Sequence, residues 1–129
     1  MIMVDSSAWV EFLRDTGSWV CEEVDRLLDA EIVITDPILM EVLAGARDER
    51  HLHQLRGLLG RARMAHCQPP DYVDAALLYR RCQRNGTTIR RLVDCLIGAV
   101  ALREGVPVLH MDEDFDVLAR HTELTTRQP

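Results

Sequence analysis

Short apolar runs alternating with amphipathic helical stretches predict an α/β fold: a mainly parallel sheet of four to five strands covered by helices on both faces. Three observations carry this. Each strand candidate is short, apolar and followed by a helix-start signal. Helix stops fall at Gly or Asn-Gly. The 129 residues, 47% of them hydrophobic, are enough for one core without disulfide or metal staples, so residues 1–129 are expected to form a single domain.

The elements follow in order. Met1–Asp5 is an apolar run ending in an acid, which reads as a buried strand. Ser6 and Ser7 can cap a helix through Arg14, with Trp9, Val10, Phe12 and Leu13 on its apolar side. Gly17-Ser18 restarts a helix that carries Val20, Val24, Leu27 and Leu28 at helical spacing. Glu31–Thr35 is the second strand. Thr35-Asp36-Pro37 then opens a helix to about Gly45, with an oxygen cap and a proline in the first turn. Asp48–Leu59 is helical and Met64–Gln68 a third strand. Pro69-Pro70 opens a helix that stops at Asn85-Gly86. Thr88–Glu104 is helical to Gly105, Val106–Met111 a strand, Glu113–Arg120 a short helix and Leu124–Thr126 an edge strand.

Composition excludes several classes. The hydrophobic fraction rules out a disordered tail, and no apolar run approaches the ~20 residues that span a bilayer. The N-terminus lacks a basic region followed by a long apolar stretch and a cleavage site, so no secretory signal is expected. Cys21, Cys67, Cys82 and Cys95 lie far apart without a C-x-x-C. A disulfide framework or zinc site is therefore not expected, and a reducing cytoplasm is the expected setting.

Charge is uneven. All fifteen basic residues are Arg, and the net charge of −6 conceals blocks of −8 (residues 1–46), +6 (47–91) and −4 (92–129). A basic middle block weakens any argument against nucleic acid drawn from the acidic total. Its clusters, Arg47, Arg50, Arg56, Arg61 and Arg63, then Arg80, Arg81, Arg84, Arg90 and Arg91, also fit ordinary solvated helix faces.

Ligands of parallel sheets bind beyond the carboxyl ends of the strands. Asp5 and Asp112 lie at two such ends, while Glu41 and Asp94 interrupt apolar helix sequence. Each has a structural alternative: Asp5 caps the next helix, Asp94 pairs with Arg90 one turn earlier, and Glu41 sits exposed on a helix edge. Four together point further. Converging carboxylates repel unless a divalent cation joins them, and hard oxygen ligands favour Mg²⁺ or Mn²⁺. The string Asp112-Glu113-Asp114-Phe115-Asp116 has a calcium-loop start with Glu123 at position twelve, but Val117 stands where the turn needs Gly and a strand precedes it. There is no P-loop, G-x-G-x-x-G, G-x-S-x-G or H-E-x-x-H, and the five histidines show no ligand spacing; they read as surface or supporting residues.

Four blocks carry a resemblance: Val-Asp5-Ser-Ser-Ala-Trp-Val-Glu-Phe-Leu, Ile-Leu-Met-Glu41-Val-Leu-Ala-Gly, Arg91-Leu-Val-Asp94-Cys-Leu-Ile-Gly-Ala-Val-Ala-Leu, and Val-Leu-His-Met-Asp112-Glu-Asp114-Phe-Asp. In order and over essentially the whole chain, they resemble the signature blocks of PIN-domain ribonucleases, most nearly the VapC toxins of bacterial type II toxin–antitoxin pairs. No single block is specific; the four in sequence are.

The resemblance implies a PIN-like three-layer α/β/α sandwich and a Mg²⁺-dependent endoribonuclease in which Mn²⁺ substitutes. It implies Asp5, Glu41, Asp94 and Asp112 as the catalytic acids. Asp5, Asp94 and Asp112 would hold metal with Asp114 as auxiliary ligand, Asp116 would be solvated, and Ser7 would hydrogen-bond within the acidic site. Glu41 would orient or deprotonate the attacking water, or complete the metal shell. Expected products carry 5′-phosphate and 3′-hydroxyl ends. The implied substrate is a structured RNA such as tRNA or rRNA, cut to arrest translation, with Arg47, Arg50, Arg56, Arg84, Arg90 and Arg91 as candidate RNA contacts. A cognate VapB-type antitoxin and a homodimer are also implied, with no membrane partner. Trp9 and Trp19 are candidate interface or core anchors, the core favoured. Two alternatives remain open: a nuclease of this fold that processes RNA without an antitoxin, and a non-catalytic metal- or partner-binding domain.

Overall fold

β1 (Ile2–Val4), β2 (Ile32–Ile34), β3 (Arg63–Met64) and β4 (Val108–Leu109) are all parallel and lie in the order β3-β2-β1-β4 in the computed structural model, which describes residues 1–129. The register sets Ile2 beside Ile32, Val33 beside Arg63 and Val4 beside Leu109. Every residue of β1, β2 and β4 is buried, as strands covered on both faces must be. α1 (Ser6–Leu13) and α2 (Trp19–Leu27) connect β1 to β2, α3 (Asp36–Ala44) and α4 (Glu49–Leu59) connect β2 to β3, and α5 (Pro69–Arg84) and α6 (Leu92–Glu104) connect β3 to β4. α7 (Glu113–His121) follows β4. The expected three-layer sandwich is present. From β1 the chain steps outward to β2 and β3, then returns to place β4 on β1's other side. The order thus reverses between β1 and β4, the place where such sheets open a crevice at their carboxyl ends.

Trp9, Ile2, Met3, Ile34, Ile38, Ile97, Leu109, Phe115 and Leu118 are among the fully buried side chains of one continuous core. Trp9 therefore anchors the core, as expected, whereas Trp19 is only half-buried. α6 ends on Gly105 at φ +68, a left-handed conformation that a Cβ would strain.

Local differences from the sequence reading have identifiable causes. α1 is capped by Asp5, whose carboxylate accepts the Ser7 N–H, not by Ser6 or Ser7. Thr35 makes no side-chain cap; its hydroxyl faces Cys67 Sγ at 3.4 Å. β3 stops at Met64, although the Ala65 N–H still bonds the Ile34 carbonyl (2.8 Å); farther on the amides turn to side chains, Cys67 N–H to Asp36 (2.8 Å) and Gln68 N–H to Asp71 (2.7 Å). α6 starts at Leu92 rather than Thr88, since the Arg90 and Arg91 N–H groups are given to Asp114. Leu124–Thr126 contributes one parallel bridge, Val108 to Thr126, along the outer edge of β4.

Candidate active site

The crevice between β1 and β4 is built from side chains that leave the two strand ends and two helices. Asp5 follows β1, is 2% exposed, and accepts both the Ser7 N–H (3.0 Å) and the Ser7 hydroxyl (2.6 Å) on Oδ2. The same hydroxyl accepts the Met111 N–H at 2.9 Å, so Ser7 ties the loop after β1 to the loop after β4. Asp112 caps α7, taking the Asp114 N–H on Oδ1 (2.9 Å). Asp94 enters in the first turn of α6 and is 1% exposed. From α3, half-buried Glu41 accepts the Ser6 hydroxyl on Oε1 (3.0 Å) and meets Arg91 Nη2 on Oε2.

Asp114 is the deepest addition. It is 2% exposed and receives the Arg90 N–H at 3.1 Å and the Arg91 N–H at 3.0 Å. One oxygen each from Asp94, Asp112 and Asp114 fall within 4.8 Å of one another. Asp5, whose charge bears on Asp94, and Glu41, whose charge bears on Asp5, border this trio, and Ser7 joins it through Asp5. Asp116 stays outside, its side chain about half exposed.

Electrostatics report the crowding. Burial pushes the Asp94 carboxyl up to about 8, helped by a hydrogen bond to Asp114 and by the charges of Asp5 and Asp112. Asp5 is raised mainly by burial, against the lowering effect of Ser7. Burial also pushes on Asp114, but the two arginine amides and the Asp94 proton outweigh it and hold Asp114 below the ordinary carboxylate range. Asp5 Oδ1 and Asp94 Oδ2 are buried with no partner at all. A buried carboxylate oxygen in that state requires a cation or a proton. With every nearby donor an oxygen, a hard divalent ion fits this set.

Of the structural alternatives for these acids, Asp5 does cap α1, whereas those for Asp94 and Glu41 are replaced. Arg90 does not pair with Asp94; its Nη2 reaches Asp112 Oδ1 (3.0 Å) and its Nε lies 3.5 Å from Asp114 Oδ1. Glu41 is held on both oxygens rather than free on a helix edge. Among the six arginines proposed for RNA, Arg90 and Arg91 touch the acids, and Arg47 lines a cleft that Glu41 also lines. Arg50, Arg56 and Arg84 are exposed and make no ion pair with the acids; Arg56 borders a separate, mostly apolar cleft.

Sequence reasoning passed over Ser6 and His110. Ser6 reads as a cap and carries no other signal. His110 is 8% exposed, and its Nδ1 accepts the Asp112 N–H at 3.1 Å, which requires the Nε2–H tautomer. Burial keeps the ring neutral by lowering its pKa. Its place one residue from the end of a strand that leads into Asp112 was the available sign.

Comparison with known proteins agrees with this geometry. The family model described as PIN domain matches residues 2–121. The VapC ribonuclease Mb1587 of Mycobacterium bovis and the ribonuclease VapC11 of Mycobacterium tuberculosis are each 44% identical over 128 residues, covering 96% of this chain and 96% of the relative. In fold, the chain is similar to VapBC2 of Rickettsia felis, solved bound to a DNA fragment from its promoter (TM-score 0.78, 19% identity, 98% of both chains). It is also similar to VapC20 of Mycobacterium tuberculosis, described as a sarcin–ricin loop cleaving toxin (TM-score 0.69, 19% identity, 97% of this chain and 99% of that one).

Proposed function

The chain belongs to the PIN-domain family as a VapC-type toxin endoribonuclease, and from that premise we propose that it hydrolyses structured RNA with Mg²⁺, or Mn²⁺ in its place, held by Asp5, Asp94, Asp112 and Asp114. The observation that carries this reading is the cluster of Asp94, Asp112 and Asp114 oxygens within 4.8 Å of one another, beside buried oxygens of Asp5 and Asp94 that have no partner. When bound, the ion supplies an activated water and relieves charge on the phosphoryl and leaving oxygens. The chain's own residues do the rest. Ser7 fixes Asp5 against the loop that carries Asp112. Glu41, steadied by Ser6 and Arg91, orients the attacking water and accepts its proton. Arg90 and Arg91 border the acids and present guanidinium groups to an incoming phosphate.

The substrate we favour is a loop of tRNA or rRNA; the sarcin–ricin loop named for the structurally similar VapC20 supports that class. The partner we favour is a VapB-type antitoxin that lays a segment across the acidic groove, in the cytoplasm, with the toxin as a homodimer. No helix is long and apolar enough to cross a membrane. Purified protein incubated with total RNA, with and without Mg²⁺, tests the activity. Discrete cuts that need the cation and vanish in folded Asp5→Asn and Asp94→Asn variants are the expected result. Full cleavage by either variant would refute the assignment of that acid.

A further inference from the structure

Beside the acidic crevice lies a second cleft of about 320 Å³, whose wall includes Trp19, His110, Asp112, Glu113, Asp116 and Arg127. Asp112 belongs to both, so whatever occupies the cleft lies next to the phosphate being cut. Trp19 opens α2 and is half-buried, and because Trp9 is 1% exposed, Trp19 is the accessible indole of the chain. The buried His110 ring leans on Phe115, with centroids 5.2 Å apart, and is fixed there. Asp116 is half exposed with His110 Nε2 at 3.5 Å, which leaves its acceptor sites open to the cleft. Arg127 is anchored by Glu23 (Nη1 to Oε1, 2.8 Å) and stays partly exposed at the wall, with its other guanidinium N–H groups free of protein partners.

We propose that this cleft is a nucleobase subsite that takes an unpaired guanine neighbouring the scissile phosphate. The inference rests on the ribonuclease reading above and deepens it. Single-stranded RNA is read by stacking a splayed base on an aromatic face and hydrogen-bonding its edges. Carboxylates around the cleft repel a phosphate there and favour an uncharged base. Among the bases, guanine alone offers two parallel donors, N1–H and the 2-amino group, to one carboxylate, and two acceptors, O6 and N7, to one guanidinium. Asp116 and Arg127 supply that complementary pair. Uracil would set two carbonyl oxygens against the carboxylate for one donor. A basic side chain from a protein partner fits less well, since Arg127 already places a fixed cation at the wall.

Fluorescence of the intact protein tests the assignment without relying on cleavage. Guanosine, adenosine, cytidine, uridine and arginine amide are titrated in turn, without divalent ions. Saturable quenching by guanosine, at least about tenfold tighter than by uridine, is expected, with stacking on Trp19 and the paired edges both contributing. Asp116→Asn should lose that tenfold for guanosine and leave adenosine unchanged. Cut sites mapped with Mg²⁺ should neighbour an unpaired guanine in the wild type and lose that preference in Asp116→Asn. Quenching that does not distinguish guanosine, or that arginine amide alone produces, overturns the subsite even if the protein cuts RNA. Absence of any RNA cleavage by the wild type would instead sink the nuclease reading, while guanosine-selective quenching would still establish the cleft.

Discussion

Asp94 and Asp114 face each other as one carboxyl pair that keeps a proton: burial raises Asp94 to about 8, while amides from Arg90 and Arg91 keep Asp114 ionised. The folded Asp94 carboxyl thus titrates far above its unfolded value of 3.8. Between these values the folded state holds a proton that the unfolded chain has lost. Raising the pH through that window destabilises the cation-free fold, by up to about 1.4 kcal/mol per pH unit. Asp94→Asn keeps a donor toward Asp114 without a charge. Its thermal midpoint in EDTA should exceed that of the wild type by a margin that grows from pH 5 to pH 8 and then levels off. A margin independent of pH would show that Asp94 carries no such proton.

Asp71 and Arg103 illustrate the opposite sign. Asp71 is 1% exposed, joined by two hydrogen bonds to Arg103 (Nε to Oδ1 2.9 Å, Nη2 to Oδ2 3.0 Å), and also caps α5 through the Gln68 N–H. The Arg103 side chain holds its carboxyl below the ordinary value of 3.8. Stability from this pair is present above 3.8 and is lost as pH falls through the lower folded value. Arg103 also donates to the His66 carbonyl, so α6 is pinned to the segment after β3. Arg103→Met should cost about 2–3 kcal/mol at pH 7, less than a fully buried pair because the guanidinium stays partly wet. Urea denaturation at pH 7 and pH 3 checks this: the gap between variant and wild type should shrink at the lower pH.

These two pairs show what sequence alone makes visible. Asp5 and Asp112 were legible because each ends an apolar run, and a parallel sheet must deliver such residues to one rim. Asp94 was legible because a carboxylate amid Leu92, Val93, Ile97 and Val100 has no cheap place in a core. The depth of Asp114 was not, since its burial depends on two amides twenty-three and twenty-four residues away that give up helix geometry to reach it. Likewise, Thr35-Asp36-Pro37 looks like an ordinary capped start, yet Asp36 turns to Cys67 and His66 across the sheet end. Local signals locate elements; long-range acceptors decide where they begin and stop.

In the proposed site, Ser7 acts as a positioning residue. Its hydroxyl donates to Asp5 and accepts from Met111, so one oxygen couples both strand-end loops. Outer hydrogen-bond partners of metal-binding carboxylates typically contribute 10- to 100-fold in affinity or rate, roughly the loss expected for Ser7→Ala. Calorimetric titration with Mn²⁺ should show the weakened binding directly, and Ser7→Thr, which keeps the hydroxyl, should restore it. Equal Mn²⁺ affinity in Ser7→Ala and wild type would confine Ser7 to tying the two strand-end loops together.

Arg90 occupies the position for which a cation would compete. Its guanidinium lies across Asp112 and Asp114 yet is largely exposed, so it is free to swing away when those carboxylates gain a divalent ion. Removing it should have opposite effects on the two ligands. Arg90→Gln should bind Mn²⁺ more tightly, by a few-fold, because no built-in cation has to be displaced. The same variant should bind RNA more weakly, with the slope of log affinity against log salt reduced by about 0.7 to 0.9, the loss of one phosphate contact. Both shifts are measured on one protein, by calorimetry for the metal and by filter binding across a salt series for the RNA. If Mn²⁺ binding weakened together with RNA binding, Arg90 would be a support of the acidic site and not a competitor within it.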